Sequence, residues 1–238
     1  MSPVDQAKVG LRAIKYWVDG TPEIRLTKEF SDPQRVSIDV GANIGQFTWW
    51  MRRYAAGVIA YEPIPELAAR LERAFGNDVD VRRAAASATT GTAVLSIPTA
   101  SDGSDRAAAA SISNDFPDQR TIDVPLERID DLDRGPVGYI KIDVEGHELD
   151  VLAGAEETLR RDHPTLLVEI ELRHHDGEIA SKVGAVCEYG YEAWFWQNDE
   201  FHPFSEFRPE MQDPANITNP ALYINNFVFS EPARFSAN

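Results

Sequence analysis

The residues Val36 to Gln46, reading Val-Ser-Ile-Asp-Val-Gly-Ala-Asn-Ile-Gly-Gln, constrain this chain more than any other stretch. Val36, Ile38 and Val40 make a short apolar run of the kind that fills a buried strand. Gly41 and Gly45 follow at once, and a helical pattern begins near Gln46. Strand, glycine turn and helix in that order is how an open parallel sheet builds a nucleotide pocket at its carboxyl edge. Asp39, one residue from the strand's end, gives such a pocket an acidic wall.

The pattern repeats after that stretch. Ile44, Phe47, Met51 and Tyr54 mark a helix face, and Val58 to Tyr61 is a second short strand, closed by Glu62-Pro63. Pro65 opens another helix with Leu67, Leu71 and Phe75 on its buried side, and Val79 to Val81 is a third strand. Further on, Tyr139 to Val144 reads as a strand, Glu148 to Arg161 as one helix and Thr165 to Ile170 as a strand. Ile179, Val183 and Val186 give a helix face, and Tyr191 to Trp196 and Tyr223 to Phe229 are the sixth and seventh main strands. Alternation of this kind is the pattern of a doubly wound α/β sheet with right-handed crossovers, here in one domain over residues 1–238.

Two stretches interrupt the pattern. Thr92 to Ile97 and Thr121 to Val124 alternate as exposed strands, and between them the polar segment 99–119 reads as an insertion beside the pocket, with a short strand at Ala110 to Ser113. Gln197 to Leu222 carries Pro203, Pro209, Pro214 and Pro220 and reads as a loop over the active-site edge. At the amino end, Val4, Ala7, Leu11, Ile14 and Val18 recur at three- and four-residue intervals, so an amphipathic helix is expected. Its apolar stripe is expected to dock on its own domain, with a lid over the pocket or a dimer contact as alternatives, so a homo-oligomer is compatible.

Charge limits the partners. Lys plus Arg total 23 against 39 Asp plus Glu, a net charge of −16. Such a surface repels phosphate backbones, which argues against nucleic acid as partner. The single cysteine, Cys187, leaves no internal disulfide and fits a reducing cytoplasm. No secretory signal and no membrane-spanning run is recognised, so a cytoplasmic location is expected and the Asn216-Ile217-Thr218 triplet reads as chance.

The glycine spacing then selects a ligand. Dinucleotide folds use G-x-G-x-x-G with the helix amino end against a pyrophosphate. Here the order is Asp39-x-Gly41-x-Asn43-x-Gly45, with an acid before the first glycine and no third glycine at that spacing. An acid there opposes a pyrophosphate but suits an ammonium group. S-adenosylmethionine has an amino acid tail, a sulfonium and no phosphate. Its ribose diol wants a carboxylate at the end of the second strand, where Glu62 stands.

Val36 to Gln46 resembles the first motif of class I S-adenosylmethionine-dependent methyltransferases. Tyr139-Ile-Lys141-Ile-Asp143-Val-Glu145-Gly146-His147-Glu148, followed by Val151-Leu152-Ala153-Gly154-Ala155, looks like the signature of the FkbM-type methyltransferases, so that the resemblance spans about Val36 to Glu171. It implies a Rossmann-like, seven-stranded, mostly parallel sheet with an antiparallel C-terminal strand and helices on both faces. It also implies methyl transfer to hydroxyls, often on sugars or polyketides. The donor would be held by Asp39, Gly41, Ala42, Asn43, Gly45, Glu62 and Pro63. One position departs from the pattern: Ala85-Ala86-Ser87-Ala88 carries no acid for the adenine, leaving backbone groups and Ser87.

A sugar hydroxyl is a poor nucleophile while protonated, so a base near the methyl donor assists. Asp143, Glu145 and His147 are the candidates at the second motif, with Asp143 and Glu145 favoured in the crevice and the choice of base open. Lys141 and Glu148 read as an ion pair and a helix cap. After the fifth strand, Glu171 and His174 are candidates for binding a hydroxylated small-molecule or glycan acceptor, and Trp196 and His202 for stacking on it. His174-His175-Asp176 lacks the ligand spacing of a metal site, so no metal is expected. A nicotinamide-dependent oxidoreductase and a non-catalytic cofactor-binding module are the competing readings.

Overall fold

The computed structural model describes residues 2–19, 22–100, 102–172, 179–217, 219, 221–232 and 234–235. The helix α1 (Pro3–Asp19) and the one-turn helix α2 (Thr27–Phe30) precede β1 (Val36–Val40). The glycine turn leads into α3 (Gln46–Tyr54), then β2 (Gly57–Tyr61), α4 (Pro65–Phe75) and β3 (Asp80–Arg82). A short strand β4 (Ala85–Ala86) and the long strands β5 (Gly91–Pro98) and β6 (Gln119–Glu127) follow. The chain then returns to regular alternation with β7 (Val137–Ile142), α5 (Glu148–Ala153), α6 (Glu156–Asp162), β8 (Thr165–Glu169) and α7 (Ile179–Cys187). It closes with β9 (Glu192–Gln197), β10 (Glu200–Pro203) and β11 (Asn226–Ser230).

Among the described residues the main sheet has the order β10-β9-β11-β8-β7-β1-β2-β3. β3, β2, β1, β7 and β8 run parallel, and β11 is antiparallel to both β8 and β9. The chain winds outward from β1 to β3, then crosses back over β1 to enter β7. The seam between β1 and β7 is therefore the topological switch point, where open α/β sheets hold their ligands.

Period-two alternation divides the strands between two cores. Ile140 and Ile142 of β7 pack with Ile38, Leu166, Val168 and the α5–α7 side chains Val151, Leu159 and Val183. Tyr139 of the same strand joins Val58, Ala60 and Leu167 under α1, α3 and α4. Burying each large apolar side chain this way stabilises the fold by about 2 kcal/mol.

The fold matches the sequence expectation with four differences. The main sheet has an eighth strand, β10, inside the segment expected to be loop. It forms a hairpin with β9 through Asn198 and Asp199, both at positive φ, and Asn and Asp tolerate that conformation better than most residues. The expected helix Glu148–Arg161 breaks in two at Gly154, where a Cβ would lie 2.0 Å from the Ser87 carbonyl oxygen. β4, β5 and β6 form a separate sheet in the order β4-β6-β5, and Ser96 and Ser111 make an isolated bridge where a short strand was expected.

The fourth difference is in α1, whose amphipathic stripe is inverted. Val4, Leu11, Ile14 and Val18 are 63%, 70%, 50% and 61% exposed, whereas Val9, Gly10 and Ala13 are buried. The small inner face explains this. A Cβ on Gly10 would lie 2.8 Å from the Trp49 ring, so glycine lets α1 approach α3 more closely than a larger residue permits. Trp17 and Trp50 pack at 4.3 Å, and Arg25 donates to the carbonyls of Trp17 and Val18 at the helix end.

Candidate active site

The turn after β1 is held by its own geometry. Gly41, Asn43 and Gly45 have φ of 79°, 50° and 83°, and the Gly41 and Ala42 N–H groups donate to the Tyr61 carbonyl. A Cβ on Gly41 would fall 1.9 Å from the Asp143 carbonyl oxygen, and one on Gly45 2.8 Å from Leu71. Glycine at both positions brings the ends of β1 and β7 together and lets α3 close on α4.

Glu62, one residue past β2, is buried beside this turn. Its Oε2 accepts from the Asn43 N–H at 2.7 Å and its Oε1 from the Ile64 N–H at 2.9 Å. An ionised carboxylate has about four lone-pair sites, so the fixed group retains acceptor capacity. Burial pushes Glu62 up to about 7, against the two backbone bonds, with the Asp39 and Asp143 charges adding to the rise.

Two chambers meet at the switch point. The first, about 600 Å³, runs from Glu62, Pro63 and Ile64 along the apolar wall of Ala84, Ala85 and Ala86 to the insertion residues Ala107 and Ile112. The second, about 840 Å³, is lined by Asp39, Ala42, Phe47, Lys141 and Glu169, with Tyr16 of α1 at its side. Gly41, Asn43, Ala108, Asp143 and Glu145 line both.

The second chamber is acidic around one buried cation. Lys141 Nζ lies 3.2 Å from Asp143 Oδ2 and 5.1 Å from the centre of the Phe47 ring. Burial draws its ammonium down, but Asp143, Glu169 and Asp39 together hold it above its ordinary value. Asp39 faces Lys141 across the β1–β7 register and accepts from the Thr48 hydroxyl. Burial raises Asp39, with Thr48 and Lys141 acting against the rise.

The insertion fastens onto the second motif. Glu145 stands at φ 55° and Gly146 at 106°, and the Gly146 N–H donates to Glu148 Oε1 at 2.7 Å. Ser111 Oγ and Asn114 Nδ2 donate to the Glu145 carbonyl at 2.6 and 2.9 Å. His147 is gripped on both ring nitrogens: Nε2 is 3.0 Å from Ser87 Oγ, and Nδ1 is 3.2 Å from Ser113 Oγ and 3.4 Å from Asp150. Burial lowers its pKa, against the nearby Asp150 and Glu148 charges.

The structure therefore brings Asp39, Gly41, Ala42, Asn43, Glu62, Pro63, Asp143, Glu145 and His147 to the chambers. Gly45 supports the turn from behind, and Ser87 reaches the first chamber through His147. Glu171 is buried beside Asn225, whose Nδ2 bridges it at 2.9 Å to Glu169 at 2.8 Å. β8 ends at Glu169, so that residue, not Glu171, lines the chamber. Trp196 and His202 sit on β9 and β10, four and five strands from β1, a separation of roughly 19 and 24 Å at the usual strand spacing. There Trp196 packs on Phe201, and His202 stacks on Phe195 and contacts Glu206. His174, with His175 and Asp176, lies outside the described residues. Sequence reasoning missed Glu169 and Tyr16 as lining residues. Alternation from Leu167 would have put Glu169 on the Lys141 face, but Tyr16 gives no local signal.

Residues 39–193 match the model of the methyltransferase FkbM domain, about two thirds of the chain. The chain belongs to the FkbM methyltransferase family. Its backbone is similar to the crystal structure of the methyltransferase FkbM from Methylobacillus flagellatus KT, with a TM-score of 0.51 and 15% identity over 91% of this chain. The chain spans 52% of that protein's length. An rRNA methylase from Streptococcus thermophilus aligns at 10% identity with a TM-score of 0.46, covering 87% of this chain and 92% of that one. A precorrin methyltransferase from Geobacter metallireducens aligns at 10% identity with a TM-score of 0.47, over 89% and 87%. No curated protein matches the sequence. Family membership favours the methyl-donor reading of the glycine turn over the nicotinamide one.

Proposed function

We propose that the chain is an S-adenosylmethionine-dependent O-methyltransferase that acts on a hydroxyl of a sugar, a glycan or a glycosylated metabolite. The observation that carries this reading is the wall shared by the two chambers, in which Gly41, Asn43, Asp143 and Glu145 line both. The first chamber suits a nucleoside: apolar on its long side, with a fixed buried carboxylate at Glu62 for a ribose diol. Asp39 and Asp143 give the neighbouring wall the charge that an ammonium and a sulfonium need.

S-adenosylmethionine, when bound, supplies a methyl group already activated on sulfur. The protein's share is then orientation, exclusion of water and removal of one proton. Glu62 holds the ribose end, and Ala84 to Ala86 cover the adenine side without a dedicated acid. Asp143 or Glu145 takes the acceptor hydroxyl proton onto a carboxylate oxygen, and Lys141, 3.2 Å from Asp143 Oδ2, holds that carboxylate in place. His147, held on both nitrogens by Ser87 and Ser113, acts as a positioning residue.

The test is transfer from isotopically labelled donor into a panel of hydroxylated sugars and lipid-linked glycans, with the product read by mass spectrometry. Label on oxygen of one acceptor, lost in Asp143→Ala or Glu145→Ala, is the expected result. Label on nitrogen or carbon, or thermal stabilisation by NAD rather than S-adenosylhomocysteine, would overturn the reading.

A further inference from the structure

Among the described residues, four of the exposed large hydrophobic side chains lie together on the outward stripe of α1. Val4, Leu11, Ile14 and Val18 lie on one side of the helix, and Lys8, Arg12 and Lys15 flank them, all exposed. The helix's early acid, Asp5, is already paired with Arg73 at 3.1 Å. Arg70 of α4 adds a further cation: burial and the neighbouring Arg12 both push its pKa down. On a chain of net charge −16 this is a local reversal of sign. Caps and packing at Trp17, Trp50 and Arg25 hold the helix in place, so the stripe is a fixed surface.

We propose that α1 is an interfacial helix that docks the protein onto an anionic lipid bilayer. An apolar stripe buried at the headgroup level, flanked by Lys and Arg, is the arrangement that binds such surfaces, and neither signal alone is sufficient. Among the described residues no helix is long and apolar enough to cross a membrane, so α1 lies on the surface. A second copy of the chain fits the same stripe poorly. A helix of 17 residues is about 25 Å long and offers roughly 250 Å² of face, well below the ~800 Å² per partner of a stable dimer. Pairing two copies would also set Lys8, Arg12 and Lys15 against one another. Tyr16, toward the opposite side of the same helix, borders the second chamber, so the docking helix runs past the site with its stripe turned away from it.

Sedimentation of the full chain with phosphatidylcholine–phosphatidylglycerol vesicles, against phosphatidylcholine alone, tests the proposal. Binding is expected only to the anionic vesicles, falling as salt rises. Leu11→Glu with Ile14→Glu, and separately Lys8→Glu with Arg12→Glu and Lys15→Glu, should each weaken it roughly tenfold or more. Unchanged melting temperatures would show that the variants fold; if they do not, the wild-type comparison between vesicles decides alone. A wild-type chain left in the supernatant with anionic vesicles overturns the proposal. So does a charge variant that binds like wild type, or a dimer seen by light scattering that Leu11→Glu dissociates, which would assign the stripe to a second copy.

Discussion

Glu62 is buried at the mouth of the first chamber with its two oxygens committed to the Asn43 and Ile64 N–H groups. Burial first, then Asp39 and Asp143, raise it to about 7. Hydroxyl donors of a ribose favour its ionised form, so S-adenosylhomocysteine should bind more tightly as pH rises toward about 7 and level off above it. Calorimetry across that range checks this, and a flat profile in the wild type would sink the ribose assignment. Glu62→Ala should weaken binding by about 2 kcal/mol, the scale of hydrogen bonds to a charged group. Gly41→Ala places a Cβ 1.9 Å from the Asp143 carbonyl at a φ of 79°, and should cost about 3 kcal/mol or more in a denaturant titration. The glycines, Asp39 and Glu62 were readable in sequence because strand ends and the glycine turn fix their positions. Glu169 against Glu171 was not, since alternation says which face a residue takes but not where the strand stops. Trp196 and His202 failed for a different reason: strand order is a property of distant pairing, and β11 inserts between β8 and β9.

At the scale of elements, the β5–β6 hairpin reaches over the site and is secured at Glu145 and His147 by Ser111, Asn114 and Ser113. Ser111→Ala with Asn114→Ala removes both bonds to the Glu145 carbonyl. Backbone amides at 107–114 should then exchange faster by mass spectrometry, and methyl transfer should slow about tenfold, while global stability falls by no more than about 2 kcal/mol. Equal exchange in variant and wild type would show that apolar contacts, not these bonds, hold the hairpin. The composition of 99–119 announced an insertion but not its attachment, because the bonds join residues more than 30 positions apart. α1 shows the reverse case. Its periodicity was plain in sequence, yet periodicity does not say which face turns inward, and Gly10 against Trp49 decided that.

Across the whole molecule, three buried carboxylates whose pKa burial raises set the pH response: Asp39, Glu23 and Glu62. Burial raises both Glu23 and Glu62 to about 7. The folded chain thus holds protons that the unfolded chain has already released, so stability falls as pH rises from the ordinary carboxylate range through about 7. Asp162, which Arg161, the Val137 N–H and Arg134 lower against its burial, acts in the opposite sense at more acidic pH. The ligand-free protein should melt at a lower temperature at about pH 8 than at about pH 6. Glu62→Gln should remove part of that slope; a melting temperature that rises over the interval would contradict both assignments.

Glu145 joins these scales. Its backbone is left-handed, a conformation that disfavours a residue with a side chain, and the hairpin grips its carbonyl from above. A loop that lets go would leave this residue free to relax toward an ordinary φ, swinging its carboxylate away from the wall the two chambers share. The place of one carboxylate on that wall would thus rest on two hydrogen bonds from residues 34 and 31 positions away in the sequence.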